Sequence, residues 1–406
     1  MARILTSLQT GDWLTKDRLL VYPSVILAMT LAATAYLLVT GGGVLPNGSP
    51  FGSDFVSFWV AAREAVAGRP ETPYLAETFA GVQNEIFKDG NFYAFYYPPH
   101  YLAYLLPLGL LPYYPALALW ALAGFAAAAF VVTRIVGHRF ETFLITLAFP
   151  ASFLTVAHGQ NAFLSAALFG GALMVMRTRP VLAGVLFGLL TFKPQLGLLI
   201  PFALLAGAHW RTILSAGVTT LVVAAVSALL FGTDVWTLFM AQASDATATL
   251  REGYVGWNKM ISTYAMLRVT GLGDDAAMTV QFIVSLGVLA TVWWSWRPES
   301  RVAFETRAAL LLTGALLATP FGLNYDLFIL APAIAFAVAH GMARGFVAYQ
   351  KTVLAIVYIS PVAILALMSN NLNFAPIVLA LMFGQLAGNA LQDARRGGLR
   401  PMPAGE

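Results

Sequence analysis

PPHYLAYLLPLGLLPYYPALALWALAGFAAAAFVVTRIVGHR, residues 98–139, contains two apolar runs of unequal length, and the number of times it crosses a bilayer orients everything that follows. The longer run, about Tyr114 to Thr133, has the roughly 20 residues that a helix rising 1.5 Å per residue needs to cross about 30 Å of hydrocarbon. The shorter, Pro98 to Pro112, is ambiguous. Counted as a crossing, it would put Arg134, Arg139, Arg177 and Arg179 on the outer face; taken as a re-entrant or paired hairpin in the outer leaflet, it leaves them inside. Cytoplasmic loops carry the excess of Lys and Arg, so the hairpin reading is preferred. It gathers 16 of the 23 basic residues on the inner side, and the outer side keeps seven together with 12 of the 19 acidic residues.

Outward from this stretch, apolar segments fall at about 21–40, 114–133, 141–157, 161–176, 180–193, 194–208, 212–231, 276–296, 307–320, 326–342, 352–368 and 373–391. The chain is therefore expected to be an all-α polytopic membrane protein. It would form one transmembrane domain over residues 1–406, with about 12 transmembrane helices plus the short hairpin and both termini cytoplasmic. Composition agrees: 59% of residues are hydrophobic, 10% charged, and the mean hydropathy is +0.74, whereas a soluble domain carries about a quarter charged residues. The net charge of +4 calls for no nucleic-acid partner, since the arginines sit in short loops between apolar helices. The first run follows Arg3, Lys16 and Arg18 and exceeds a signal-peptide core, so it reads as a retained anchor.

The absence of cysteine excludes disulfides, thiolate metal sites and a cysteine nucleophile. No Walker A sequence, Gly-x-Gly-x-x-Gly, Gly-x-Ser-x-Gly or His-Glu-x-x-His occurs, so nucleotide binding, serine hydrolysis and zinc proteolysis have no support. No cofactor and no metal is expected, and substrates come from the lipid or from the outer space.

Two outer loops are long enough to carry structure, 41–97 and 232–275. The first opens with turn signals at Gly41-Gly42-Gly43 and Pro46-Asn47-Gly48. After Asp54, the residues Phe55, Phe58, Trp59, Ala62 and Val66 share one helix face, which predicts an amphipathic helix lying on the membrane interface as a lid. The second loop mixes Trp257, Asn258 and Lys259, a combination suited to sugar or headgroup contact.

The polar residues that are expensive in a membrane all fall on the outer side. The segment from Pro180 to Lys193 has about 14 residues, roughly 21 Å, and cannot cross alone. Lys193 should lie below the surface, where Pro194 breaks the helix; its partner is then a phosphate or a carboxylate. The alternative is an ammonium that snorkels outward. His158-Gly159-Gln160-Asn161 makes an outer turn, in which Asn161 either caps a helix or lines a site. Asn324-Tyr325-Asp326 opens another span, with the same choice for Asp326. Tyr97 and His100 begin the hairpin, and Gln195 follows Lys193. Asp54 either caps the helix that starts beside it or deprotonates a hydroxyl within hydrogen-bond reach.

Taken in order, Asp54-Phe55-Val56-Ser57-Phe58-Trp59, Gly68, Tyr74, Tyr97-Pro98-Pro99, Gly159-Gln160-Asn161, Lys193-Pro194-Gln195 and Thr319-Pro320 with Tyr325-Asp326 resemble glycosyltransferase family 87 over about residues 50–330. That family belongs to the GT-C superfamily of membrane glycosyltransferases. The resemblance implies the GT-C fold, a polyprenyl-phosphate sugar donor, inverting transfer to a glycolipid or polysaccharide acceptor, and an aspartate in the first outer loop as general base. Carried over, the base is Asp54; Lys193 would neutralise the departing phosphate with His158 as the second donor-phosphate ligand, and His158 and Gln160 would line the pocket by hydrogen bonding. Mannose is the hexose that the best known members use. Some members carry Trp or His where this chain has Asn324 and Tyr325, which leaves sugar and acceptor open.

The rival class is a transporter or flippase for a lipid-linked saccharide, which would also show broken helices and midplane polar groups. It is weakened by the lack of an internal repeat. The richness in Ala, Gly and Arg with few Lys points to a bacterial inner membrane, with the site facing the periplasm.

Overall fold

The short apolar runs become short helices because prolines and tight turns end them, and the computed structural model shows where each is ended. It describes residues 2–42, 44, 49–88, 90–242, 250–254, 256–368 and 372–396. The turn expected at Pro46 to Gly48 lies outside these, as does Gly43. Among the described residues every element is helical, apart from two isolated bridges, Val44 with Pro50 and Met260 with Leu323.

Seven helices are long and apolar enough to cross a membrane: Lys16–Gly41, Tyr113–Val136, Trp210–Phe231, Asp274–Trp296, Asn324–Arg344, Gln350–Leu367 and Ala375–Arg395. Phe140–Leu147 and Pro150–His158, bent by 50° where Pro150 interrupts the backbone bonding, make an eighth if taken as one span. The protein is thus a multi-pass membrane protein by helix length and composition. The other expected segments are helical too, but shorter: Ala162–Val175, Pro180–Phe192, Pro194–Ala206 and Phe304–Ala318. Lengths therefore support seven or eight crossings directly, against the twelve that hydropathy gives. Two of the remaining four segments are apolar all round because neighbouring helices enclose them: every residue from Ala308 to Ala318 is buried, and so is every residue from Ser165 to Leu173; on the other two, Val181, Leu198 and Phe202 are exposed.

Pro98 to Pro112 contains the helix Pro99–Gly109, only 11 residues long with Pro107 inside it. At about 16 Å it is too short to cross. It packs against Phe55–Val66 so closely that a Cβ on Gly109 would lie 2.7 Å from the Ala62 carbonyl.

Phe55–Val66 departs from expectation. It is a helix, but Phe55 through Ala62 are all buried, so it is no amphipathic lid on the interface. The face opposite the apolar stripe is covered as well: Ser57, Val60, Ala61 and Glu64 are all buried. On the stripe itself the contacts are aromatic. Phe58 meets Phe95, Tyr97, Tyr101 and Trp120 edge-on, and Trp59 packs on Tyr113 and donates its Nε1–H to the Leu111 carbonyl at 2.9 Å. Only the far end is polar: Arg63 stacks over Trp59 at 4.7 Å, and Glu64 pairs with Arg69 at 2.7 Å. The extended stretch before Pro98 is held to this core by Gln83, which donates to the Tyr93 carbonyl at 2.8 Å and accepts from its N–H at 2.9 Å, and by the Tyr74 hydroxyl, which donates to the Tyr97 carbonyl at 3.1 Å.

Candidate active site

Asp54 is placed by a turn that docks on the end of another helix. Gly52 N–H donates to the Ala157 carbonyl at 3.0 Å, and Asp54 N–H to the His158 carbonyl at 3.0 Å. Gly159, which ends Pro150–His158 at φ +67°, lets the two segments approach; a Cβ there would stand 2.5 Å from that of Phe55. The Asp54 side chain makes no capping bond to its helix, although capping is the commonplace use of aspartate at such a position. Instead Oδ2 accepts from Gln160 Nε2 at 2.9 Å, and Oδ1 from Ser53 Oγ at 3.4 Å.

Gln160 is buried and joined at both ends. Its Oε1 accepts from the Tyr97 hydroxyl at 3.4 Å and from Asn161 N–H at 3.3 Å. Asn161 likewise forgoes capping: its Nδ2 donates to the Tyr101 hydroxyl at 3.1 Å, and its Oδ1 has no partner among the described residues. The Tyr97 and Tyr101 rings lie tilted at 34° with centroids 4.6 Å apart. Burial, reinforced by the charges of Asp326 and Asp54, pushes the Tyr97 hydroxyl well above its ordinary range, so it remains a donor.

A second arm comes from the helix break expected at Lys193. The 3₁₀ turn Leu190–Phe192 delivers Lys193, Pro194 starts a new helix, and the ammonium ends buried rather than snorkelling. Its Nζ lies 2.5 Å from Asp326 Oδ1, both side chains being 3% exposed, and 5.1 Å over the Tyr325 ring. The partner is thus a carboxylate of the protein itself. Asp326 does cap as well: Oδ2 accepts from Leu323 N–H at 3.2 Å at the head of Asn324–Ile329. The His158 ring lies 6.0 Å from that of Tyr325 on its other side. Asp54, Gln160, Tyr97, Asn161, His158, Tyr325, Asp326 and Lys193 therefore form one cluster, and Asn324 is buried in its last turn.

Other expected residues stand apart. His100 is buried on the far side of the hairpin helix, stacked on Trp236 with centroids 6.1 Å apart; its Nε2 is 3.4 Å from Thr191 Oγ1. Gln195 is half-buried, and no hydrogen bond joins it to the cluster among the described residues. Asn258 and the exposed Lys259 lie on the turn Trp257–Lys259, which the following residues tie to the last arm, Ile261 N–H donating to the Gly322 carbonyl at 2.9 Å and Met260 packing with Phe321 and Leu323. Tyr101 and Phe58 were not anticipated. Their signal was the spacing of Tyr101 and Tyr104 on one face of the hairpin helix, with Tyr97 just before it, against the aromatic face of Phe55–Val66. No group of three metal-ligating side chains forms among the described residues; Asp54 and Asp326 are each held by a nitrogen donor instead.

The cluster offers two carboxylates, one held by an amide and one by an ammonium, among aromatic rings, groups that can accept a proton or hold an anion. Residues 95–320, more than half of the chain, match the model of glycosyltransferase family 87. The matched region includes Tyr97, Gln160, Asn161 and Lys193 and stops short of Asp54 and Asp326. No curated protein and no solved structure matches the chain.

Proposed function

We propose, from the premise that this chain belongs to glycosyltransferase family 87 and is a glycosyltransferase, that it transfers a hexose, mannose by preference, from a polyprenyl-phosphate donor to a glycolipid or polysaccharide acceptor. The transfer inverts the anomeric centre and takes place at the outer, periplasmic face of a bacterial inner membrane, with both termini cytoplasmic. Asp54 is the general base. It takes the proton of the acceptor hydroxyl while that oxygen bonds to the anomeric carbon and the bond from that carbon to the phosphate oxygen breaks. The pair of electrons leaves with the lipid phosphate, whose charge Lys193 neutralises in a site with little water. Gln160 fixes the carboxylate, His158 stands with Lys193 on the donor phosphate, and Tyr97 and Tyr325 line the sugar's space. Asn161, Asn324 and Asp326 shape the walls, while Gln195, His100, Asn258 and Lys259 serve at its margins toward lipid and acceptor.

The observation that carries this reading is the freedom of the Asp54 carboxylate from its own helix. It faces Gln160 in the same cluster as the one buried ammonium, Lys193. Family membership favours transfer over a carrier function, because a flippase needs no base. The test is transfer from polyprenyl-phosphate mannose by purified protein carrying Asp54→Asn. Loss of about a hundredfold or more in turnover, with donor binding unchanged, is the expected outcome; transfer at the unsubstituted rate would falsify the assignment.

A further inference from the structure

The Lys193 ammonium is already occupied. Its partner, Asp326, is as deeply buried as it is, so water does not screen the pair. An ammonium in such a place needs a counter-ion at all times, since an unpaired buried charge is strongly destabilising. Resting on the reading of Lys193 as the phosphate ligand, we propose that Asp326 is a resident counter-ion that holds the phosphate's seat in the empty enzyme. Donor binding then exchanges one anion for the other, and the return of Asp326 helps to expel the lipid-phosphate product.

Three features of the site favour exchange over a fixed strut. The other basic side chains of this side that hold protein partners hold them elsewhere: Arg69 pairs with Glu64, Arg251 with Asp274, Arg63 stacks on Trp59 and Arg268 on Trp257. A phosphate that enters the cluster therefore has to compete for Lys193. Asp326 keeps a second partner, since Oδ2 accepts from Leu323 N–H at 3.2 Å, so its carboxylate is not orphaned when the ammonium moves. The lysine stem is long and flexible and starts at a helix break between Phe192 and Pro194; the Tyr325 ring, 5.1 Å away, can follow the cation through a short swing. At formal charges, two carboxylates, Asp54 and Asp326, already outnumber the one ammonium. The bound phosphodiester adds a further negative charge, so Asp326 weakens donor binding and product binding alike.

The test measures binding of polyprenyl-phosphate mannose, without acceptor, and of the bare polyprenyl phosphate to full-length protein in detergent. Asp326→Asn keeps an acceptor for Leu323 N–H and removes the competing charge. Both ligands should bind about tenfold tighter or more; in turnover, donor KM and kcat should fall together, as product release slows. Equal or weaker binding by a folded Asp326→Asn protein overturns the exchange and leaves the pair a strut. Should that variant not fold, the unsubstituted protein with donor bound decides: Lys193 Nζ on the phosphate and away from Asp326 supports the exchange, an intact pair overturns it. If the unsubstituted protein binds neither ligand, the proposed donor class falls and the exchange with it, an outcome distinct from binding with the pair intact.

Discussion

Gln160 touches three groups with one amide: Asp54 through Nε2, Tyr97 and Asn161 N–H through Oε1. The Asp54 carboxylate can only accept and the Asn161 N–H can only donate, so the amide nitrogen turns to the first and the amide oxygen to the second, where it also meets the Tyr97 hydroxyl. This is how a side chain that touches no reacting atom can fix the angle of one that does. Gln160→Leu, similar in bulk, would leave Asp54 free to rotate and the tyrosine unpartnered. Loss of a buried hydrogen bond of this kind costs about 1–3 kcal/mol, so turnover should fall about ten- to a hundredfold. Donor KM should stay near that of the unsubstituted protein, because Lys193 and Tyr325 are untouched. A change in KM alone would mean that Gln160 binds donor rather than positions the base. At the same scale, Asp54 and Asn161 show the limit of sequence reasoning: both stand at helix starts, where capping is the default use, and neither side chain caps. Each is turned aside by a partner from a distant part of the chain, Gln160 in one case and Tyr101 in the other.

The helix Phe55–Val66 and the hairpin helix Pro99–Gly109 act together as an element that brings Asp54 and Tyr97 to one place. The apolar spacing of Phe55, Phe58, Trp59 and Ala62 identifies the helix, and the amphipathic pattern suggested that its other face met water or headgroups. That face is buried too, at Ser57, Val60, Ala61 and Glu64, by packing that nothing in the local pattern announces; the stripe itself meets aromatic residues of the hairpin and of Tyr113–Val136. The difference is measurable. Val60→Asn, on that opposite face and fully buried, should destabilise the protein by about 1–3 kcal/mol, the cost of a polar group buried without a partner, and should lower transfer with it. Val66→Ala, at an exposed position, should change stability by less than about 1 kcal/mol. Thermal unfolding in detergent separates the two; equal small shifts would return the helix to the interface.

On the scale of the whole molecule, the distribution of charge predicts which loops share a side. The chain contains no cysteine, so single introduced thiols report cleanly. Lys88→Cys, in the first long loop, should react with a membrane-impermeant maleimide on intact cells, and Arg301→Cys only after permeabilisation; the reverse pattern would invert the proposed orientation. Sequence alone determined the membrane class, the helices, the break at Lys193 and the family resemblance, because hydropathy, proline and arginine act locally and leave their mark in composition and spacing. Tertiary structure alone decided that the segments Ala162–Val175 and Phe304–Ala318 are enclosed, that the first-loop helix is interior, and that the anion facing Lys193 is Asp326. Those outcomes depend on contacts between residues as far apart as positions 54 and 160 or 193 and 326. Such contacts are chosen by packing, which a one-dimensional pattern constrains to a face but not to a partner.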